Sequence, residues 1–255
     1  MKVAIFHAVL TVASVANAQG TFGNLDFESA NLSGYTPGSA VPITSALPGW
    51  SGFIAGGGTD QISYDSFAIA GGSISIMDSH TTVGYPPLQG NYSALLTGAP
   101  PGLPRGPATI DQTGVIPAGT LSLIVAMHWE TQAPVVTLGG QTITMVPIST
   151  FPRYTMYAGD ISSFAGRTAT LSFTAPPPTA SLNPSVLELD NILFSPIAIP
   201  EPSTAALAAL AGLALLNKSL MTNRRCLNPL GAKRKLSRAV DAPSLLQAAV
   251  AYLNR

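Results

Sequence analysis

The stretch Leu121-Ser122-Leu123-Ile124-Val125-Ala126-Met127-His128-Trp129-Glu130 decides the fold. Leu121, Leu123, Val125, Met127 and Trp129 recur with a period of two, so they share one face of a strand. Ser122, His128 and Glu130 fall on the other face. Working outward, the runs Val135–Leu138 and Gln141–Val146 are separated by Gly139-Gly140, two residues free to take positive φ, which predicts a tight hairpin. Thr168–Ala175 and Ser185–Phe194 supply two later strands, and Gly71-Gly72 separates Asp60–Ala70 from Ser73–Asp78. From Thr21 to Ile197 such runs alternate with Gly and Pro and show no helical periodicity, which is the pattern of an antiparallel β-sandwich.

Composition agrees. Charged residues make up 9% of the 255 and hydrophobic ones 46%, with 24 Gly and 22 Pro, so turns are frequent and long soluble helices are disfavoured. The net charge of zero hides a division. Residues 19–202 carry eleven acidic side chains (Asp26, Glu28, Asp60, Asp65, Asp78, Asp111, Glu130, Asp160, Glu188, Asp190, Glu201) against Arg105, Arg153 and Arg167, a balance of −8. From Asn217 onward eight basic residues face only Asp241, a balance of +7. An acidic main domain is repelled by phosphates, which argues against a nucleic-acid partner. A basic end beyond an apolar run argues for a membrane between the two regions.

The ends carry export features. Met1 and Lys2 lead into the apolar run Val3–Val15, which closes on Ala16-Asn17-Ala18. Ala16 and Ala18 are the small residues a signal peptidase admits, so cleavage after Ala18 is expected and residues 1–18 read as a signal peptide. Near the other end, Pro200-Glu201-Pro202-Ser203-Thr204 precedes the apolar run Ala205–Leu216, and Lys218, Arg224 and Arg225 follow. The run has twelve residues, against the about 20 of a stable span, which suits a temporary anchor. Cys226, the single cysteine, lies on the basic side, so residues 19–198 contain no internal disulfide. In the extension 226–255, Asp241 and Pro243 suit a helix start, and Leu245, Leu246, Ala249, Val250 and Leu253 line one face.

The Pro-Glu-Pro motif, the apolar stretch and the basic cluster over 199–225 resemble the PEP-CTERM sorting region, also described as an ice-binding-protein C-terminal domain. That resemblance implies an exosortase-type sorting enzyme as partner, processing at Pro200, Glu201 and Pro202, and transient anchoring in the membrane. Delivery to the cell envelope or extracellular matrix would follow. The chain departs from the family in continuing for thirty residues after Arg225.

Between the ends, the opening Gly23-Asn24-Leu25-Asp26-Phe27-Glu28, the turn Pro48-Gly49-Trp50, the segment Tyr157–Phe164 and the closing Leu187-Glu188-Leu189-Asp190-Asn191-Ile192 resemble galactose-binding-like jelly-roll domains. The resemblance implies an all-β jelly-roll over residues 19–198, in which the first and last strands lie close together. It also implies a structural calcium drawing oxygens from Glu28 and Asp190, with Asp26 a weaker candidate. One feature of the residues themselves bears on Asp190. Apolar side chains hold odd positions at Leu187 and Leu189 and even ones at Ile192 and Phe194, so the phase flips at Asp190-Asn191 and a β-bulge is predicted there.

Candidate chemistry is otherwise sparse. Asp78 with His80 and His128 with Glu130 are i,i+2 pairs that a strand places on one face, yet no zinc or hydrolase signature surrounds them. Acidic residues in general are expected on solvated faces. Among aromatics suited to a sugar platform, Trp50 and Trp129 are expected in the core, whereas Tyr85 and Tyr92, in the Pro- and Gly-rich stretch 84–92, are expected to be exposed and to contact ligand. The resulting expectation is a non-enzymatic exported protein that contacts polysaccharide. Its alternatives are a secreted hydrolase of matrix glycans and a purely structural matrix adhesin.

Overall fold

Gly and Pro interrupt the chain every few residues, so its strands are short and its turns many. The computed structural model describes residues 21–68, 71–100, 102–103 and 106–199, which belong to one compact unit ending at Ile199. The expected signal peptide, sorting motif, anchor helix and C-terminal extension lie outside the described residues. In chain order the strands are β1 (Ala40–Pro42), β2 (Ser51–Ile54), β3 (Gly57–Thr59), β4 (Gln61–Tyr64), β5 (Ser73–Asp78), β6 (Tyr92–Gly98) and β7 (Ala108–Val115). There follow β8 (Ser122–Glu130), β9 (Val135–Leu138), β10 (Gln141–Thr142), β11 (Val146–Thr150), β12 (Thr155–Asp160), β13 (Thr168–Ala175) and β14 (Ser185–Ser195). Helical structure among the described residues is a single turn at Ile43–Ala46 and a 3-10 turn at Ser162–Phe164.

The protein is all-β, with two sheets. One runs β1-β4-β5-β6-β14-β8-β12-β11, the other β10-β9-β13-β7-β2-β3. From β6 onward the chain passes repeatedly between them, so that strands adjacent in sequence mostly face each other across the core. That core interleaves alternate side chains of both sheets: Ile74 and Ile76 of β5, Leu96 of β6, Leu123, Val125 and Met127 of β8, and Leu187 and Leu189 of β14 from the larger sheet. Ile110 of β7, Val136 and Leu138 of β9, and Leu171 and Phe173 of β13 come from the smaller one. Trp50 lies among them as its sequence context suggests, 4% exposed, and its indole N–H donates to the Asn24 carbonyl at 3.1 Å.

Several local expectations meet the structure directly. β9 and β10 form the hairpin, with Gly139 and Gly140 at φ +57° and +78°. β13 covers Thr168–Ala175 as read from the alternation. The pairing of β14 with β8 slips between Asp190 and Leu193, with Asn191 at φ +46°, so the predicted bulge is present. The opening segment around Gly23–Glu28 is irregular rather than a strand, but it lies against β14, where the Ile192 N–H donates to the Leu25 carbonyl at 2.9 Å.

Other expectations need correction. Among the described residues of the run 60–70 the strand is limited to β4, and the runs on either side of Gly71-Gly72 pair in parallel, with Ser63 of β4 opposite Ser75 of β5. The chain between them loops over the sheet so that Ser75 Oγ donates to the Ser66 carbonyl and Ser73 Oγ accepts from the Ala68 N–H. Trp129 shares the face of Met127 but is 37% exposed at the end of β8, beyond the packed core. Tyr92 is not a loop residue; it begins β6 and packs half-buried against the core.

The outer face of the larger sheet is also covered in part. Met77, Leu95 and Val186 are buried there under Phe67, Val83 and Tyr85. This second, small apolar layer turns the outer face of β14 from a solvated surface into a floor.

Candidate functional site

Strand alternation on β14 sends Leu187 and Leu189 into the main core and Val186, Glu188 and Asp190 to the outer face. On that face Glu188 stands opposite His128 of β8 and Leu95 of β6, and Val186 stands opposite Glu130. Glu130, His128 and Glu188 therefore project from one face of two neighbouring strands. Above them opens a cleft of about 630 Å³, lined by Val83, Gly84 and Tyr85, by Met127–Glu130, by Phe151–Thr155, and by Tyr157 and Glu188.

One wall is Val83–Tyr85, and the segment that continues from it to Tyr92 is held down by carboxylates. Asp190 Oδ2 accepts from the Gln89 N–H at 3.0 Å and from Ser93 Oγ at 2.8 Å, and its Oδ1 accepts from the Asn191 N–H at 2.6 Å. Glu28 Oε1 accepts from the N–H groups of Asn91 at 2.6 Å and Tyr92 at 3.1 Å, and its Oε2 from Asn91 Nδ2 at 2.8 Å. Gly90, at φ +58°, permits this approach, because a Cβ there would collide with Glu28 Oε1.

The opposite wall is the β11–β12 turn, where Phe151 and Tyr154 stack with ring centroids 4.8 Å apart. It is tied across to the first wall. Arg153 donates through both terminal nitrogens to the carbonyls of Pro86 and Pro87, and Gln89 Nε2 donates to Tyr154 Oη at 3.0 Å. Gln89 Oε1 in turn accepts from Asn191 Nδ2 at 3.0 Å, so the bulge residue buttresses the same loop.

The floor holds the unusual group. Glu188 is 1% exposed and its Oε1 has no hydrogen-bond partner. Burial pushes its carboxyl pKa up to about 8; the nearby Arg153 charge opposes this and Asp190 adds to it. Asp190 is raised to about 7, again by burial, against the hydrogen bonds it accepts from Ser93, Gln89 and Asn191. Tyr85 reaches about 12 through burial and then the neighbouring Glu130 carboxylate, which places its phenol beside that acid. His128 Nε2 lies 3.2 Å from Glu130 Oε1, and the Trp129 indole N–H donates to Tyr157 Oη at 3.1 Å. The cleft thus offers aromatic surfaces on its rim and two carboxylates below, one half-wet and one nearly dry.

Of the residues singled out from sequence, Tyr85, His128 and Glu130 meet in this cleft, and Tyr92 does not line it. Asp78 and His80 do make contact, at 3.3 Å between His80 Nδ1 and the Asp78 carboxylate, but elsewhere on the fold. There Asp78 accepts from Tyr64 Oη at 2.6 Å and its N–H donates to Asp65 Oδ1 at 2.8 Å. Asp65, raised to about 6 mainly by burial, keeps its Oδ2 without a partner. The expectation of acidic residues on solvated faces therefore fails for Asp65, Asp78, Glu188 and Asp190, all buried. Glu188, Trp129, Arg153 and Tyr154 were not legible as site residues. The nearest signal was the apolar content of 83–88, enough to cover part of a sheet face.

Glu28 and Asp190, the calcium ligands that the jelly-roll resemblance implies, face the same segment, and the groups converging on them are N–H and O–H donors. A hard cation needs six to eight oxygens in those places. Among the described residues, no three His, Cys, Asp or Glu side chains gather as a metal site. In this arrangement the two carboxylates do not fit a calcium site and serve as loop clamps.

No family model matches the chain, and no curated protein does. Among solved structures it is similar to the enzymatically active domain of tailspike protein 4 from bacteriophage CBA120, at 11% identity with a TM-score of 0.36. The match covers 70% of this chain and 22% of that one, so the chain spans about a fifth of that protein's length. A likeness that distant says nothing of activity.

Proposed function

We propose that this chain is an exported, envelope- or matrix-associated protein whose cleft binds extracellular polysaccharide without cleaving it. One observation carries the reading: the cleft is open, with Tyr85 and the stacked Phe151 and Tyr154 beside polar groups on its floor and Trp129 and Tyr157 also lining it. Sugar rings present apolar faces and polar edges, and aromatic platforms beside a few fixed polar groups match both. The passage of the chain from sheet to sheet between β6 and β14 supports a jelly-roll topology, a fold many carbohydrate-binding modules share. Fold alone assigns no ligand, so the reading stands on the cleft.

Export rests on the sequence. Ala16 and Ala18 mark signal cleavage, and Pro200, Glu201 and Pro202 mark sorting by an exosortase-type enzyme with transient membrane anchoring. A glycan array with the wild-type protein and Trp129→Ala tests binding. Retention of polysaccharide that is lost in the variant is expected, and an array without any ligand would leave the structural adhesin. Mass spectrometry of the secreted protein tests sorting, with a start at Gln19 and loss of the residues after Pro202 as the expected outcome.

A second reading has its own observation. Glu130 and Glu188 project into one cleft from adjacent strands, and their environments differ sharply, as a glycosidase requires of its acid and its base or nucleophile. Release of reducing sugar by the wild type, lost in Glu188→Gln and Glu130→Gln but kept in Asp78→Asn and His80→Ala, would replace the binding module with a hydrolase.

A further inference from the structure

We infer that the cleft selects a glycan carrying primary ammonium groups, an amino-sugar polymer with free amines, in preference to neutral or acidic chains. The inference rests on the reading of the cleft as a polysaccharide site and adds the chemistry of its ligand.

The decisive group is Glu188. Its side chain is 99% removed from solvent, lines the cleft and leaves Oε1 without a partner. A buried carboxyl without a partner keeps its proton rather than bear an uncompensated charge, and a sugar hydroxyl leaves it in that state. An ammonium supplies the opposite charge that lets the group release its proton, and the donors that its oxygens then accept. Glu130 stands diagonally across from Glu188 on the same face, and its carboxylate is half-exposed, so a second anionic contact lies within the same cleft.

The rim agrees with a cation. Tyr85, Trp129 and Tyr154 line the cleft, and aromatic rings attract a cation placed over their faces. Arg153, which lines the cleft together with His128, does not pair with Glu188 in the structure. Its guanidinium is held by the carbonyls of Pro86 and Pro87, which leaves the acid free for a ligand. Beyond the cleft, the balance of −8 over residues 19–202 attracts a polycation and repels uronic-acid polymers.

Isothermal titration of the full-length protein with a glucosamine hexamer and with its fully N-acetylated counterpart, at pH 6 and low salt, tests this. The free-amine hexamer should bind at least about tenfold more tightly, about 1.4 kcal/mol. The advantage should shrink in high salt and disappear in Glu188→Gln, with binding of the acetylated hexamer unchanged. Asp60→Asn, an exposed acid outside the cleft, should keep the preference and so excludes general attraction to an acidic surface. Equal affinity of the wild type for the two hexamers overturns the inference, and needs no variant to fold. A preference that survives Glu188→Gln does the same. If neither hexamer binds but other glycans on the array do, the amine selectivity falls and the polysaccharide site stands; if nothing on the array binds, both fall.

Discussion

Replacing Glu188 with glutamine should flatten the pH dependence of stability between pH 5 and pH 8. In the folded protein this carboxyl titrates near 8, against 4.5 for an unhindered glutamate. Between those values the unfolded chain ionises and is stabilised by water, while the folded chain keeps its proton. Stability therefore falls as pH rises through this window and levels off above about pH 8, where both states are ionised. The slope approaches about 1.4 kcal/mol per pH unit and the full loss about 5 kcal/mol. Asp190, raised in the same direction, adds a slope of its own at lower pH, but it is present in both proteins and cancels in the comparison. Urea denaturation at pH 5, 6, 7 and 8, with constant m, reads the slope directly. The absolute stability of the variant is not the observable, since the new amide brings its own hydrogen-bonding demands. Parallel wild-type and Glu188→Gln curves would mean that this carboxyl is hydrated and ordinary, and the reasoning about the cleft floor would be wrong.

Gly90→Ala should cost about 1–3 kcal/mol, because its Cβ collides with Glu28 Oε1 at a backbone angle side chains resist; faster hydrogen exchange at Asn91 and Tyr92 would report the lost clamp. Gly98→Ala should be at least as damaging in β6, since its Cβ meets the Ala175 carbonyl at 2.7 Å and backbone cannot yield, with thermal unfolding as the check. Trp129→Ala, at an exposed strand end, should change stability by less than about 1 kcal/mol while lowering glycan affinity by tenfold or more, a split that calorimetry and titration separate. Asp190→Asn should loosen the segment 84–92 and weaken binding without touching ligand, because one carboxylate oxygen that accepts two donors becomes an amide or loses its charge.

What the sequence disclosed and what it withheld follow one physical line. Period-two alternation identifies the two faces of a strand, so β8, β13 and β14 were readable, and the change of phase at Asp190-Asn191 was enough to locate a bulge. Alternation does not say what covers each face. Glu188 reads as a solvent-facing acid because leucines flank it, and only a loop a hundred residues away in sequence makes its side of β14 an interior. Trp129 fails in the opposite sense: it continues an apolar face past the point where the core ends. The parallel pairing of β4 with β5 was equally hidden, since a pair of glycines between two runs signals a reversal locally, while here the chain crosses over the sheet and returns in the same direction.

Glu28 and Asp190 act here in a way that the resemblance does not imply. Both lie where the first segment meets the last strand and face a common partner. That partner is the segment 89–93, whose N–H and O–H groups supply the positive ends of dipoles that a cation would otherwise supply as charge. An irregular loop with few apolar contacts gains order from such charge-assisted bonds. Because Tyr85 is four residues upstream of the first clamp and Arg153 grips Pro86 and Pro87 between, the order imposed at Asp190 reaches the wall of the cleft. The bulge at Asn191 is thus linked to the site at two points, through the adjacent Asp190 and through Asn191 Nδ2 on Gln89. A strand irregularity visible in the sequence thereby sets the position of a loop over a buried acid that the sequence did not reveal.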